Sequence, residues 1–123
     1  MDYKSILEKL LANAIQSFNS GNFGSLNNFF ADNLSFTGPE YDNSIIKEAA
    51  VELTKPQDIF NYWIRLHGNY PFRITAFEFL EIGKVSRFRS VMQDLGYVVD
   101  AEIHFDEYGK VNKLLNEIVE ALG

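Results

Sequence analysis

The chain has 123 residues, 46% hydrophobic and 15% aromatic, which suits one packed domain spanning residues 1–123 and excludes a disordered chain. Its net charge of −6 disfavours nucleic acids and anionic membranes as partners. The absence of cysteine excludes disulfides and Cys-ligated metals, and with no signal peptide or membrane span in view we expect a cytoplasmic protein without a cofactor.

The first part of the chain predicts helices and one short strand. Apolar residues recur at three- and four-residue spacing over residues 3–18, which predicts an amphipathic helix that ends at Gly21. A second helix is expected from about Asn22. Turn residues on both sides then predict a short strand over residues 34–37.

Two later segments are ambiguous, with a clear helix between them. Residues 43–53 fit a short helix, which a polar cap at their start favours, and also fit a strand. Pro56 suits the first turn of a further helix that ends at Gly68. Residues 110–122 again satisfy either period.

Between these segments lies a predicted antiparallel meander. Its three runs are rich in Phe, Val and Ile and cover residues 72–82, 85–93 and 97–105. Tight turns would set Glu78 opposite Arg87 in the first hairpin and Arg89 opposite Asp100 in the second. This register produces opposite-charge pairs and no like-charge pair, so polarity favours it over a slip by one residue.

The two faces of this meander differ in character. The inner face, which the helices should cover, carries the apolar residues Phe77, Phe79, Phe88, Val99, Ala101, Ile103 and Phe105, with Arg73, Thr75, Ser86, Ser90, Met92 and Tyr97 among them. The outer face mixes charges with Ile74, Ala76, Leu80, Val85, Val91 and Val98. Monomers seldom expose such an apolar patch, so we expect a homodimer through the outer sheet face; the alternative is a solvated face with weak ion pairs.

The element order suggests an α+β cone, in which a strongly bent antiparallel sheet packs on three to four helices and encloses a pocket. The stretch GNFGSLNNFFADNLSFTGP resembles the second-helix signature of the nuclear transport factor 2-like superfamily, which includes SnoaL-like polyketide cyclases and ketosteroid isomerases. FDEYGKV resembles the turn before that superfamily's last strand, and it favours a strand for residues 110–119. The resemblance implies an architecture that many chemistries share.

Ketosteroid isomerases are similar to this chain without gaps from Ala12 to Pro39. The resemblance places their general-base aspartate at Gly38, their oxyanion-hole tyrosine at Ala14 and their protonated aspartate at Ala101. All three groups are absent. Because that chemistry needs one ionised and one neutral carboxyl, we expect no isomerisation by this route.

The expected pocket supplies the ligand-binding candidates. They are Trp63, Arg73, Phe77, Phe88, Tyr97, Ala101, Asn112 and Asn116. Trp63 could stack on a ligand or belong to the core, and Arg73 could bind a carboxylate or extend into solvent. The amides of Asn112 and Asn116 could orient a ligand or bond a neighbour.

Acid–base candidates are weaker. Glu40 and Asp42 lie in a loop near the pocket mouth of the family, with an ordinary turn as the alternative, and His67 lies at a helix C-terminus. Two histidines without an acidic cluster predict no metal site. We therefore expect a SnoaL-like protein that binds a small apolar oxygenated ligand. The alternatives are a cyclase, isomerase or hydratase using one of these residues, and a dimerisation module whose pocket is filled.

Overall fold

The computed structural model describes residues 1–41, 45–69 and 73–122. Its elements are α1 (Tyr3–Ser20), a 3-10 helix (Gly24–Phe29), β1 (Phe30–Tyr41), β2 (Ile45–Leu53), α2 (Pro56–Asn69), β3 (Ile74–Glu81), β4 (Val85–Met92), β5 (Tyr97–Phe105) and β6 (Val111–Ala121). The fold is α+β, as predicted. The strands form one sheet in the order β2-β1-β6-β5-β4-β3.

Helices α1 and α2 agree with the sequence prediction. The Asp2 carboxylate accepts a hydrogen bond from the Ser5 N–H at 3.0 Å and caps α1. At the other end, Gly21 takes the left-handed conformation with φ 77° and closes the helix. Helix α2 begins at the predicted Pro56 and ends at Asn69, one residue beyond the predicted stop. No helix in the described part of the chain is long and apolar enough to cross a membrane.

The first two strands correct the sequence prediction. The second predicted helix is only a six-residue 3-10 helix, after which β1 runs through the whole of Phe30–Tyr41. Gly38-Pro39 does not end this strand, because Pro39 lies beside a bulge, where a residue without an N–H is tolerated. Residues 45–53 form β2 and pair antiparallel with β1, so a helix there is wrong; residues 43 and 44 lie outside the described ranges.

The sheet is mixed rather than antiparallel. Strand β6 confirms the strand alternative for the tail, and it pairs antiparallel with β5 and parallel with β1. The parallel ladder places Phe36 beside Leu114. This corrects the predicted antiparallel sheet, since β1 lies between its sequence neighbour β2 and the last strand, β6.

The second predicted hairpin register is confirmed and the first is not. Arg89 pairs with Asp100 between β4 and β5, as the opposite charges indicate. Glu78, however, pairs with Arg89 instead of Arg87, because the β3–β4 connection is longer than a tight turn. Its backbone is held by Ser86, whose hydroxyl donates to the carbonyl of residue 83 at 2.7 Å.

A bulge between Ile74 and Ala76 moves one residue to the other face. Ile74 is paired with Met92 and buried in the core, whereas the alternating pattern predicts it on the outer face. The register between β5 and β6 also shifts by one residue at the start of β6, where His104 pairs with Lys113 but Phe105 pairs with Val111. The core lies between the inner face of the sheet and the helices, with Leu7, Leu10, Leu11, Ile59, Phe60 and Trp63 from α1 and α2.

Candidate ligand-binding site

Two adjoining cavities lie between the helices and the inner face of the sheet. The first has a volume of about 60 Å³ and the second about 40 Å³. Both are lined by Phe18, Trp63, Met92, Val99 and Asn116. The first extends towards Leu10, Leu11, Ala14, Leu26, Phe30, Ile74, Phe88, Ser90, Ile103, Val111 and Leu114. The second extends towards Pro39, Tyr62, Leu66, Leu95 and Ile118.

Three polar side chains reach these cavities. The Tyr62 hydroxyl donates a hydrogen bond to the Pro39 carbonyl. Ser90 is only 2% exposed and lines the first cavity, and Asn116 is partly buried and lines both. These side chains are the polar part of a lining that is otherwise apolar.

Trp63 stands in the wall that the two cavities share. It is 4% exposed, and its ring lies 5.3 Å from the ring of Phe18 and 5.7 Å from that of Phe36, both edge to face. Three more aromatic rings, those of Phe23, Phe30 and Phe60, lie within 6.2 Å. This packing surrounds the indole with aromatic rings, so the ring belongs both to the core and to the cavity wall.

Of the three positions of the missing isomerase groups, one lines the first cavity, one is buried beside it and one is closely packed elsewhere. Ala14 lines it, and Ala101 is buried between its two lining neighbours, Phe88 and Asn116, across β4, β5 and β6. Gly38 has no room for a side chain, because a Cβ atom there would lie 2.8 Å from the Phe36 ring. The Phe36 ring thus fills the space at position 38 that the side chain of a general-base aspartate would occupy.

Five of the predicted ligand-binding residues do not line either cavity, and one of them is Ala101, described above. Arg73 is exposed rather than inward, and its Nε lies 3.1 Å from Asp94 Oδ2. Asn112 is also exposed rather than inward, because the register shift at the start of β6 turns it out of the alternation. Phe77 lies on the edge strand and is 45% exposed, and Tyr97 packs against the core.

The acid–base candidates lie apart from the cavities. The His67 ring packs on Gly21, where an added Cβ would lie 3.0 Å from the imidazole. Glu40 is exposed near the end of β1, and Asp42 lies outside the described residues. Within the described ranges, no carboxylate or imidazole lines either cavity, and no three metal-ligating side chains come together.

The sequence pattern places Ser90 and Met92 on the inner face, but they were not among the ligand-binding candidates, and it places Ile74 on the outer face. Ser90 shares the inner face with Phe88, so its position two residues further along the strand was a usable signal. Ile74 gave no such signal, because its bulge reverses the alternation. Trp63, Phe88 and Asn116 were candidates and do line the first cavity.

Charged side chains gather on the opposite face of the sheet. Arg89 binds Asp100 through two hydrogen bonds of 2.7 and 3.0 Å, and this carboxylate raises the pKa of Arg89. His104 Nε2 lies 3.0 Å from Glu102 Oε2, and that hydrogen bond lowers the pKa of Glu102. The sheet therefore separates a charged outer face from an uncharged pair of cavities.

Comparison with solved structures identifies the fold. A SnoaL-like protein of unknown function from Burkholderia thailandensis has a TM-score of 0.75 at 14% identity, covering 94% of this chain and 97% of that one. An NTF2-like protein from Anabaena variabilis has a TM-score of 0.69 at 8% identity, covering 96% and 90%. An NTF2-like protein of unknown function from Cytophaga hutchinsonii has a TM-score of 0.63 at 15% identity, covering 91% and 88%.

These likenesses confirm the resemblance to the nuclear transport factor 2-like superfamily at the level of the fold. This chain has the fold of SnoaL-like and NTF2-like proteins. No protein-family sequence model matches it, and no curated protein matches its sequence. Because the identities are low and the fold carries many activities, function has to be argued from the cavities.

Proposed function

We propose that this chain binds a small, mostly apolar molecule that carries oxygen. The observation that supports the proposal is an apolar pair of cavities whose lining includes the polar side chains of Ser90 and Asn116. Burying a ring-sized ligand there would remove on the order of 100 Å² of apolar surface, at about 25 cal/mol per Å². That amounts to roughly 2 to 3 kcal/mol before the cost of association.

The cavity volumes favour a ligand the size of one ring. An engineered apolar cavity of about 150 Å³ in another protein takes up benzene. The cavities here, of about 60 and 40 Å³, are each smaller, so a single ring would have to extend across both. A fused polycyclic ligand would need the aromatic wall around Trp63 to move. The space left among the aromatic side chains also favours binding over a dimerisation module with a filled pocket.

Binding is favoured over acid–base catalysis by the residues that line the cavities. A cyclase, isomerase or hydratase of the predicted kind needs a carboxyl group or an imidazole within hydrogen-bond reach of the substrate. Glu40 and His67 do not line either cavity among the described residues. The enzyme alternative therefore has no specific observation in its favour.

A thermal-shift screen of ring-sized ketones, alcohols and acids tests the proposal. The blocking variant is Ala14→Leu, which extends a side chain into the first cavity, and the matched control is Ala12→Leu on the exposed side of α1. We expect wild type and the control to be stabilised by the same compounds and Ala14→Leu to lose that stabilisation. The proposal is wrong if no compound raises the melting temperature of wild type.

We also propose that two copies of the chain form a homodimer through the outer face of the sheet. We further propose that the protein is cytoplasmic, as the sequence predicts. Val85 is 39% exposed there, and Val91 and Leu115 are half-buried beside the ion pair of Arg89 and Asp100. Such a mixed patch can pair with its own copy across a two-fold axis. Its apolar part is smaller than the sequence indicated, because Ile74 lies in the core.

Light scattering at tens of micromolar tests the dimer. Val85→Glu should weaken association because it places a charge in the patch, whereas Ile64→Glu is the matched control on an exposed position of α2. We expect wild type and Ile64→Glu to be dimers and Val85→Glu to dissociate. A monomeric wild type at that concentration would contradict the proposal.

A further inference from the structure

The geometry points to an uncharged ligand whose polar group is held by the Asn116 amide, at the place where the two cavities meet. This inference rests on the proposed binding function and adds the chemical class of the ligand and the residue that selects it. It depends on three features: the absence of charge in the cavity lining, the position of Asn116 along β6, and the small residue that pairs with Asn116 on the neighbouring strand β5.

The lining of the cavities excludes charged ligands. None of the described residues that line them carries a formal charge. An ion entering them would lose its hydration without gaining a partner of opposite charge, which costs several kcal/mol in a protein interior. Arg73, the one charged residue predicted to face inward, is instead at the surface beside Asp94. A carboxylate therefore has no cation to meet it.

The position of Asn116 makes it the contact point for both halves of a ligand. Three residues alternate along the inner face of β6: Leu114 lines the first cavity, Asn116 lines both, and Ile118 lines the second. The amide thus lies at the junction, with apolar space on each side of it. A ligand seated there can bury apolar groups in both cavities while its polar group meets the amide.

Ala101 keeps this amide accessible. It is paired with Asn116 on the neighbouring strand, and its methyl group has neither the length nor the chemistry to hydrogen-bond the amide. An amide both donates and accepts, so ketones, alcohols and neutral amides all satisfy it. Ser90 lies on β4, two strands away from Asn116, and lines only the first cavity.

A set of matched six-membered rings tests the inference. The compounds are cyclohexanone and cyclohexanol, methylcyclohexane, cyclohexanecarboxylate and cyclohexylammonium at pH 7. Binding is followed by the fluorescence of Trp63, the one tryptophan of the chain, which lines both cavities. The variants are Asn116→Leu, which removes the amide at nearly constant size, and Asn112→Leu, the same change at an exposed position of the same strand.

We expect cyclohexanone and cyclohexanol to bind most tightly, and the two ions at least about 100-fold more weakly. Asn116→Leu should weaken the ketone and the alcohol by roughly 3- to 10-fold and leave methylcyclohexane unchanged or tighter. Asn112→Leu should bind all five compounds as wild type does. Thermal melts and near-UV circular dichroism establish that both variants are folded.

The possible failures are separable. If an ion binds as tightly as cyclohexanone, or if Asn116→Leu and Asn112→Leu behave alike towards the ketone, the inference is overturned while the proposed binding function stands. If Asn116→Leu does not fold, Asn116→Ser takes its place, and an unchanged preference for the ketone over methylcyclohexane then overturns the inference. If no ring binds to wild type, the proposed function itself fails, and the inference with it.

Discussion

Gly38 shows how the absence of one side chain shapes this molecule. A Cβ atom at this position would lie 2.8 Å from the Phe36 ring and 3.3 Å from the Tyr62 hydroxyl. That hydroxyl in turn donates to the Pro39 carbonyl and ties α2 to β1. The position that the isomerase resemblance assigns to a general base is therefore occupied by packing.

Introducing an aspartate at position 38 should lower the stability of the protein without creating isomerase activity. Gly38→Asp would overpack the site and bury a carboxylate, and we expect the free energy of unfolding to fall by about 2 to 4 kcal/mol. Urea denaturation measures this, with Ser35→Asp at an exposed position of the same strand as the control. Neither variant nor wild type should turn over a β,γ-unsaturated ketosteroid above the buffer rate; such turnover, or an unchanged stability of Gly38→Asp, would refute this account.

At the scale of elements, the β5–β6 turn explains one of the stretches that carry the resemblance. Asp106 Oδ1 accepts the N–H groups of Tyr108 at 2.8 Å and Lys110 at 2.9 Å. The Asp106 N–H donates to the Lys110 carbonyl, and Gly109 takes φ 76°. A short acceptor at the first position and a glycine at the fourth are what this turn requires.

Removal of the Asp106 carboxylate should destabilise this turn. Asp106→Ala leaves two backbone N–H groups without their acceptor, so we expect a loss of about 1 to 2 kcal/mol in the free energy of unfolding. Glu107→Ala, at an exposed position of the same turn, is the control and should change stability little. Equal stability of the two variants in guanidinium denaturation would show that the turn is held by other contacts.

At the scale of the whole molecule, the charged outer face predicts how stability depends on pH. The hydrogen bond with His104 lowers the pKa of Glu102 below its ordinary value of 4.5 in the folded protein. The folded state therefore holds this carboxyl ionised at pH values where the unfolded chain has begun to bind a proton. The contribution is present above pH 4.5 and is lost as the pH falls through the lowered pKa.

Glu102→Gln should consequently flatten the acid side of the stability profile. We expect the melting temperature of wild type to fall more steeply than that of the variant when the pH is lowered from about 5 to 3. The exposed Glu107→Gln serves as the control and should follow wild type. Parallel profiles for all three proteins would mean that the contact with His104 does not persist in solution.

What the sequence by itself determined is what depends on local periods, caps and charge pairs. The apolar spacing of α1, its stop at Gly21 and the start of α2 at Pro56 are set within a few residues, and the structure confirms them. The β4–β5 register follows in the same way from opposite charges such as Arg89 and Asp100. Trp63 and Asn116 could be chosen as candidates because their types and positions suit an inner face.

Only the tertiary structure decided the features that depend on distant partners. Residues 45–53 form a strand because β1 offers an edge to pair with, and β1 lies beside β6 although most of the chain separates them in sequence. Bulges likewise depend on the neighbouring strand. The register shift in β3 places Ile74 in the core, and the shift at the start of β6 leaves Asn112 exposed. The cavities are lined by residues of both helices and of several strands, so their space depends on packing among all these elements at once rather than on any local pattern.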